Sequence, residues 1–175
     1  MPAPPRITVK DVAGVQLHEP VLTGEDTSDY LRGWELFSCT KYWHAHEAWE
    51  AVWKRHPEPS RLFFEGIIQL AAAYHLLTVK RLYRGTMGNF AKAEEKLRLL
   101  EGMFPGVDVA AFLGVDVRLL LQDISAARTE IERVGAHRLE EFSPALLPHV
   151  ACILPFATSR TALSSSPPDL PAERS

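Results

Sequence analysis

The chain has 175 residues, of which 46% are hydrophobic and 23% charged, and its formal net charge is −3. That length suits one domain with a real core, and so small an acidic balance offers a nucleic-acid polyanion no electrostatic footprint. Two cysteines, Cys39 and Cys152, lack CxxC spacing and fit a reducing compartment better than a disulfide framework.

Residues 1–22 are proline-rich and alternate loosely through Ile7, Val9, Val12, Val15 and Leu17, which predicts an extended N-terminal segment. The opening MPAPPRITVKD has no apolar core of a secretory signal. The apolar run Ala145 to Phe156 is interrupted by Pro148, His149 and Pro155, too short and too broken to span a bilayer. The expectation is a cytoplasmic protein with neither a membrane nor a nucleic acid as partner.

Helical periodicity starts after the acidic, hydroxyl-rich stretch Gly24 to Ser28. A first helix is predicted from Ser28 to Phe37 and a second from Lys41 to Arg55, ended by Pro57 and Pro59. The third, Arg61 to Lys80, is apolar nearly all round and therefore central. A fourth, Arg84 to Glu101, turns Phe90, Ala93, Leu97 and Leu100 inward; a fifth, Val115 to Val134, does so with Leu119, Ile124, Ala127 and Ile131. The fold class is all-α, a bundle of about five helices. Residues 23–140 form the helical domain, 141–156 a surface-packed tail, and 157–175, small, polar and proline-rich, a disordered tail. Tyr42, Ala45, Glu47 and Trp49 echo Phe90, Ala93, Glu95 and Leu97, so tetratricopeptide-like hairpin packing is a possible arrangement.

The second helix carries the chemistry. On a helical wheel Tyr42, Ala45, Trp49, Val52 and Trp53 form an apolar stripe. His46 and Glu50 lie on its border one turn apart, where they are expected to be partly desolvated and in mutual contact. An antiparallel hairpin through the Pro57–Pro59 turn would set them against Gln69, whose amide needs a partner in so apolar a helix. His75 falls on a different face from Glu65 and Gln69. Trp43 lies beyond the polar pair and is the candidate for a pocket rim or partner contact.

The pattern His46-x-x-x-Glu50-x-x-Trp53, preceded by Leu36-Phe37 and Tyr42, resembles the signature of the bacterial and archaeal domain of unknown function 309 family. So does the stretch Phe64-x-Gly66-x-Ile68-Gln69-x-Ala71-Ala72, followed by Tyr74-His75 and Gly85. The resemblance covers roughly residues 28–101. It implies a small helical bundle, and if the family's His and Glu hold a metal, that role falls to His46 and Glu50.

Two functional readings follow. In the first, the domain is a non-catalytic interaction or scaffold module, its partner a protein or small molecule, and His46, Glu50, Gln69 and a tryptophan NH form a polar network that fixes helix packing. In the second it is a metal-binding protein, at its fullest a metal-dependent hydrolase, with His46, Glu50 and Glu65 around one divalent ion (Zn, Mn or Fe). A site needs three or four ligands and the second helix gives two, in an HExxE string rather than HExxH. The incomplete ligand set favours the first reading.

Overall fold

The computed structural model describes residues 19–56, 61–103, 111–147 and 150. The first helix, α1, runs Gly24–Ser38, a turn earlier than Ser28. Thr23 starts it: its Oγ1 accepts from the Asp26 backbone N–H at 3.3 Å and donates to the Asp26 carboxylate at 2.9 Å. The backbone bond is that of an N-cap threonine, which takes up one of the unpaired N–H groups of the first turn, and Glu25 and Asp26 sit at the positive end of the helix dipole. Thr40, at φ 60°, reverses the chain into α2, Tyr42–Arg55.

Three further helices follow: α3 (Leu62–His75), α4 (Tyr83–Met103) and α5 (Val117–Val134). The predicted third helix does not stay α-helical to Lys80. Its last turn, Leu76–Lys80, widens to a π-turn, closed by Arg81 in the left-handed region and by Leu82 N–H donating to Leu76 O at 3.0 Å. Among the described residues no strand forms, and Phe112 and Val115 make one isolated bridge. The fold is an all-α bundle.

Successive helices run antiparallel, as the contacts show. Asp26 meets Arg55 and Tyr30 meets Trp49 between α1 and α2, while His46 meets Ile68 and Trp53 meets Glu65 between α2 and α3. Glu65 meets Lys96 and Tyr74 meets Phe90 between α3 and α4, and Glu94 meets Arg128 and Glu101 meets Arg118 between α4 and α5. In each pair one number rises as the other falls. Two glycines permit the closest approaches. A Cβ on Gly33 would lie 2.0 Å from the Trp49 indole nitrogen, and one on Gly66 would lie 2.7 Å from a Leu97 methyl.

Helix α3 is central: every residue from Leu62 to Ile68 is buried. Leu62–Lys80 is long and apolar enough to cross a membrane, but 67% of its most apolar window is buried inside the bundle, as in a core helix. The sequence echo between α2 and α4 is a shared burial pattern, since Ala45, Trp49, Phe90, Ala93 and Leu97 are all fully buried. In α5, Ile124, Ala127 and Ile131 point inward, but Leu119 is 54% exposed. The inward stripe there runs through Val117, Leu120, Leu121 and Ile124, and Leu119 falls off it.

Beyond α5, two 3-10 turns, Ala136–Glu141 and Pro144–Leu146, bring Leu139, Phe142 and Leu147 into the core. The segment up to residue 18, Cys152 and the tail 157–175 lie outside the described residues.

Candidate functional site

The residues on the border of α2 meet α3 as the hairpin predicts, but with different partners. His46 Nδ1 lies 3.2 Å from the Ile68 carbonyl oxygen. A carbonyl only accepts, so Nδ1 carries the proton, and in the neutral ring Nε2 keeps its lone pair. The Trp43 indole stacks on the same imidazole, centroids 5.0 Å apart and planes within 7°. Glu50 pairs with Lys54 at 3.3 Å, one turn along its own helix, rather than with His46. The expected contact between His46 and Glu50 does not form: the ring turns to the α3 backbone, and the half-buried carboxylate takes the ammonium beside it.

Glu65 is the better fixed carboxylate. It is 8% exposed and accepts from Trp53 Nε1 at 3.1 Å. Arg61, also buried, lies 3.9 Å from it and holds its guanidinium 5.0 Å from the Trp53 ring centroid, a cation–π contact. Burial pulls the Arg61 guanidinium below its ordinary value, and the Glu65 charge opposes that. From α4, Lys96 reaches Glu65 at 3.8 Å and Glu95 at 3.7 Å.

Between these groups is a cavity of about 320 Å³. It is lined by His46, Glu50 and Trp53 from α2, by Glu65, Ile68 and Gln69 from α3, and by Lys92, Glu95 and Lys96 from α4. Trp53 and Ile68 are its two apolar side chains. Gln69 is half-buried, and its amide has no hydrogen-bond partner among the described residues. Those residues bring no three of His, Cys, Asp and Glu into a group that could hold a metal ion.

Residues 30–87 match the family model described as Domain of unknown function (DUF309). Over this stretch the chain is similar to that family. No curated protein and no solved structure gives a match. The match takes in α1 from Tyr30, all of α2 and α3, and the first turn of α4. Within it fall six of the nine cavity residues, all those on α2 and α3; Lys92, Glu95 and Lys96 lie beyond its end.

Of the residues singled out in the sequence, the fold brings His46, Glu50, Trp53, Glu65 and Gln69 to one cavity. Trp43 does not line it; the indole is 46% exposed on the outer side of His46 and donates to Glu47 at 3.1 Å. His75 also stays outside, yet it joins the cluster through Trp43, its ring 5.5 Å from the indole. Burial, then the charges of Lys80 and His46, lower the His75 pKa. Sequence reasoning missed the α4 wall, because mixed charge on a surface helix reads as a solvated face. The available signal was the i, i+4 spacing of Lys92 and Lys96 beside the buried Ala93 and Leu97.

A second group of charges was also missed. Asp26, 4% exposed, accepts from Arg55 Nε at 2.5 Å and lies 3.0 Å from His56 Nε2. Arg55 also donates to Asp29 at 2.6 Å. Burial alone would raise the Asp26 carboxyl, but the hydrogen bonds from Arg55 and Thr23 and the charges of His56 and Arg55 hold it below the usual carboxylate value. This cluster ties the start of α1 to the end of α2.

A wider groove of about 560 Å³ lies between α4 and α5, lined by Arg98, Glu101, Arg118, Leu121 and their neighbours. Arg98 donates to Glu94 and Arg118 to Glu101, so its cations are already engaged. Size alone would select this groove, but the smaller cavity holds the histidine, the indole wall and the unmatched amide.

Proposed function

We propose that the domain is a non-catalytic binding module and that the cavity between α2, α3 and α4 receives a small polar molecule. One observation carries this reading: side chains from three helices converge on a recess of about 320 Å³ with seven polar or charged groups on its wall. That volume is at the lower end of the range of small-molecule sites, roughly 300–1,000 Å³. Two of the polar groups are held in place by the protein, His46 by the Ile68 carbonyl and Glu65 by the Trp53 indole. Pre-positioned groups lower the ordering cost of binding. The test is a ligand-observed NMR screen of small polar compounds against the full chain and against Gln69→Trp, which fills the recess. Hits that bind the former and not the latter support the module. An empty screen, or hits that ignore the Gln69→Trp change, would end it.

The second reading, a metal-binding protein with His46, Glu50 and Glu65 as ligands, has one feature in its favour. An imidazole whose Nδ1–H is given to a backbone carbonyl presents Nε2 in the manner of a metal-bound histidine. Against it, Glu50 is drawn to Lys54 and Glu65 to the Trp53 indole and Lys96. Elemental analysis of protein purified without tag or chelator separates the two. Stoichiometric Zn, Mn or Fe that is lost in Glu50→Gln would favour the metal; absence of all three, with no thermal shift on adding any, would remove it.

A further inference from the structure

The cavity is polar in two senses at once. On the α2–α3 side stand acceptors, the His46 imidazole and the carboxylates of Glu50 and Glu65, beside the Trp53 ring that carries Arg61. On the α4 side stand two ammoniums, Lys92 and Lys96, one turn apart, with the Glu95 carboxylate between them in sequence and paired to Lys96. Lys96 is engaged with Glu65 and Glu95, whereas Lys92 forms no ion pair with any described residue. A simple cation would find the acceptor side but would face Lys92 across a small recess. A simple anion would find Lys92 but would face Glu50 and Glu65. A molecule carrying both charges at its two ends satisfies both walls.

Resting on the reading of the cavity as a binding site, we propose that its ligand is a small zwitterion of the amino-acid type. The ammonium end lies toward Glu50, and the carboxylate end toward Lys92. The Gln69 amide, open to the recess, can donate to the carboxylate or accept from the ammonium. A recess of about 320 Å³ admits a compact molecule and excludes a folded peptide. The pairing is charge-assisted at both ends and so strongly orienting.

The test uses the full-length chain and a matched set of probes: glycine, β-alanine, γ-aminobutyrate and ε-aminocaproate, with butylamine and butyrate as single-charge controls. The Trp53 indole N–H proton, bonded to Glu65, reports events at the site by NMR, and calorimetry gives affinities. We expect one of the amino acids to shift that resonance saturably and to bind roughly tenfold tighter than either control. Lys92→Ala should reduce its affinity to that of butylamine, and Glu50→Gln to that of butyrate. Both positions are partly exposed, and thermal melts confirm that the variants fold. Equal binding of butylamine or butyrate would overturn the zwitterion while leaving the binding module standing. Silence of every probe, where the wider screen gives cavity hits, would overturn the zwitterion alone; silence in both would remove the site as well.

Discussion

At the C-terminal end of α2, Arg55 and His56 close on the buried Asp26 carboxylate, and Thr23 and Asp29 complete the set. Two turns earlier on the same helix, His46 and Glu50 border a recess whose donors and acceptors are only partly matched. Both groups are polar and both sit between helices, yet one is saturated by the protein and the other is not. A saturated cluster contributes to holding helices together and has nothing left for a ligand; a partly matched one contributes little to stability and keeps its hydrogen-bonding capacity. The difference separates architecture from function more clearly than residue type does.

Mutations can break this comparison, and the largest effect belongs on the architectural side. Trp49 is fully buried, lies 4.6 Å from Trp34 by ring centroids and donates to the Tyr30 carbonyl. Trp49→Ala should cost about 3–5 kcal/mol in a denaturant melt. Next is Asp26→Ala, expected to cost about 2–3 kcal/mol, because charge-assisted bonds to Arg55 and His56 are lost together. Asp26 also fixes a pH dependence. Its folded pKa lies below the unfolded value, so its contribution is complete above the ordinary carboxylate range, near about 3.9, and is lost as pH falls through the depressed folded value. Melting temperature followed on the acid side should fall less steeply in Asp26→Asn than in the parent protein.

The cavity side should yield smaller changes. His46→Ala removes one bond to a helix carbonyl and should cost about 1 kcal/mol. A loss of several kcal/mol would move His46 to the architectural group. Glu50→Gln breaks an exposed i, i+4 pair with Lys54 and should alter stability by no more than about 0.5 kcal/mol. If its melt shifts as far as that of Asp26→Ala, the contrast between the two regions fails.

Local rules carried the sequence reading a long way and then stopped at long-range contacts. The inward residues of α4 and most of those of α5 follow from periodicity, as does the central place of α3. The start of α1 was legible in Thr23-x-x-Asp26, a capping pattern one turn before the residue assigned. The Asp26 cluster was not legible, because its members lie 29 and 30 residues apart and meet only once α1 and α2 pair. Glu65, Gln69, His46, Glu50 and Trp53 fall together because antiparallel packing across one short turn is a local inference. The α4 wall depends on how that helix crosses α3, which no periodicity encodes. The bond partners of His46 and Glu50 depend on rotamers, and there the reading from spacing alone failed.

The stack of Trp43 on His46 has an optical consequence. Trp34 and Trp49 are buried and Trp53 is packed against the core, so Trp43 supplies the most solvent-exposed of the four indoles. Long-wavelength emission should therefore change when the His46 ring is removed, as in His46→Ala. The neighbour of the recess thus serves as a built-in fluorophore, sensitive to whatever moves that one ring.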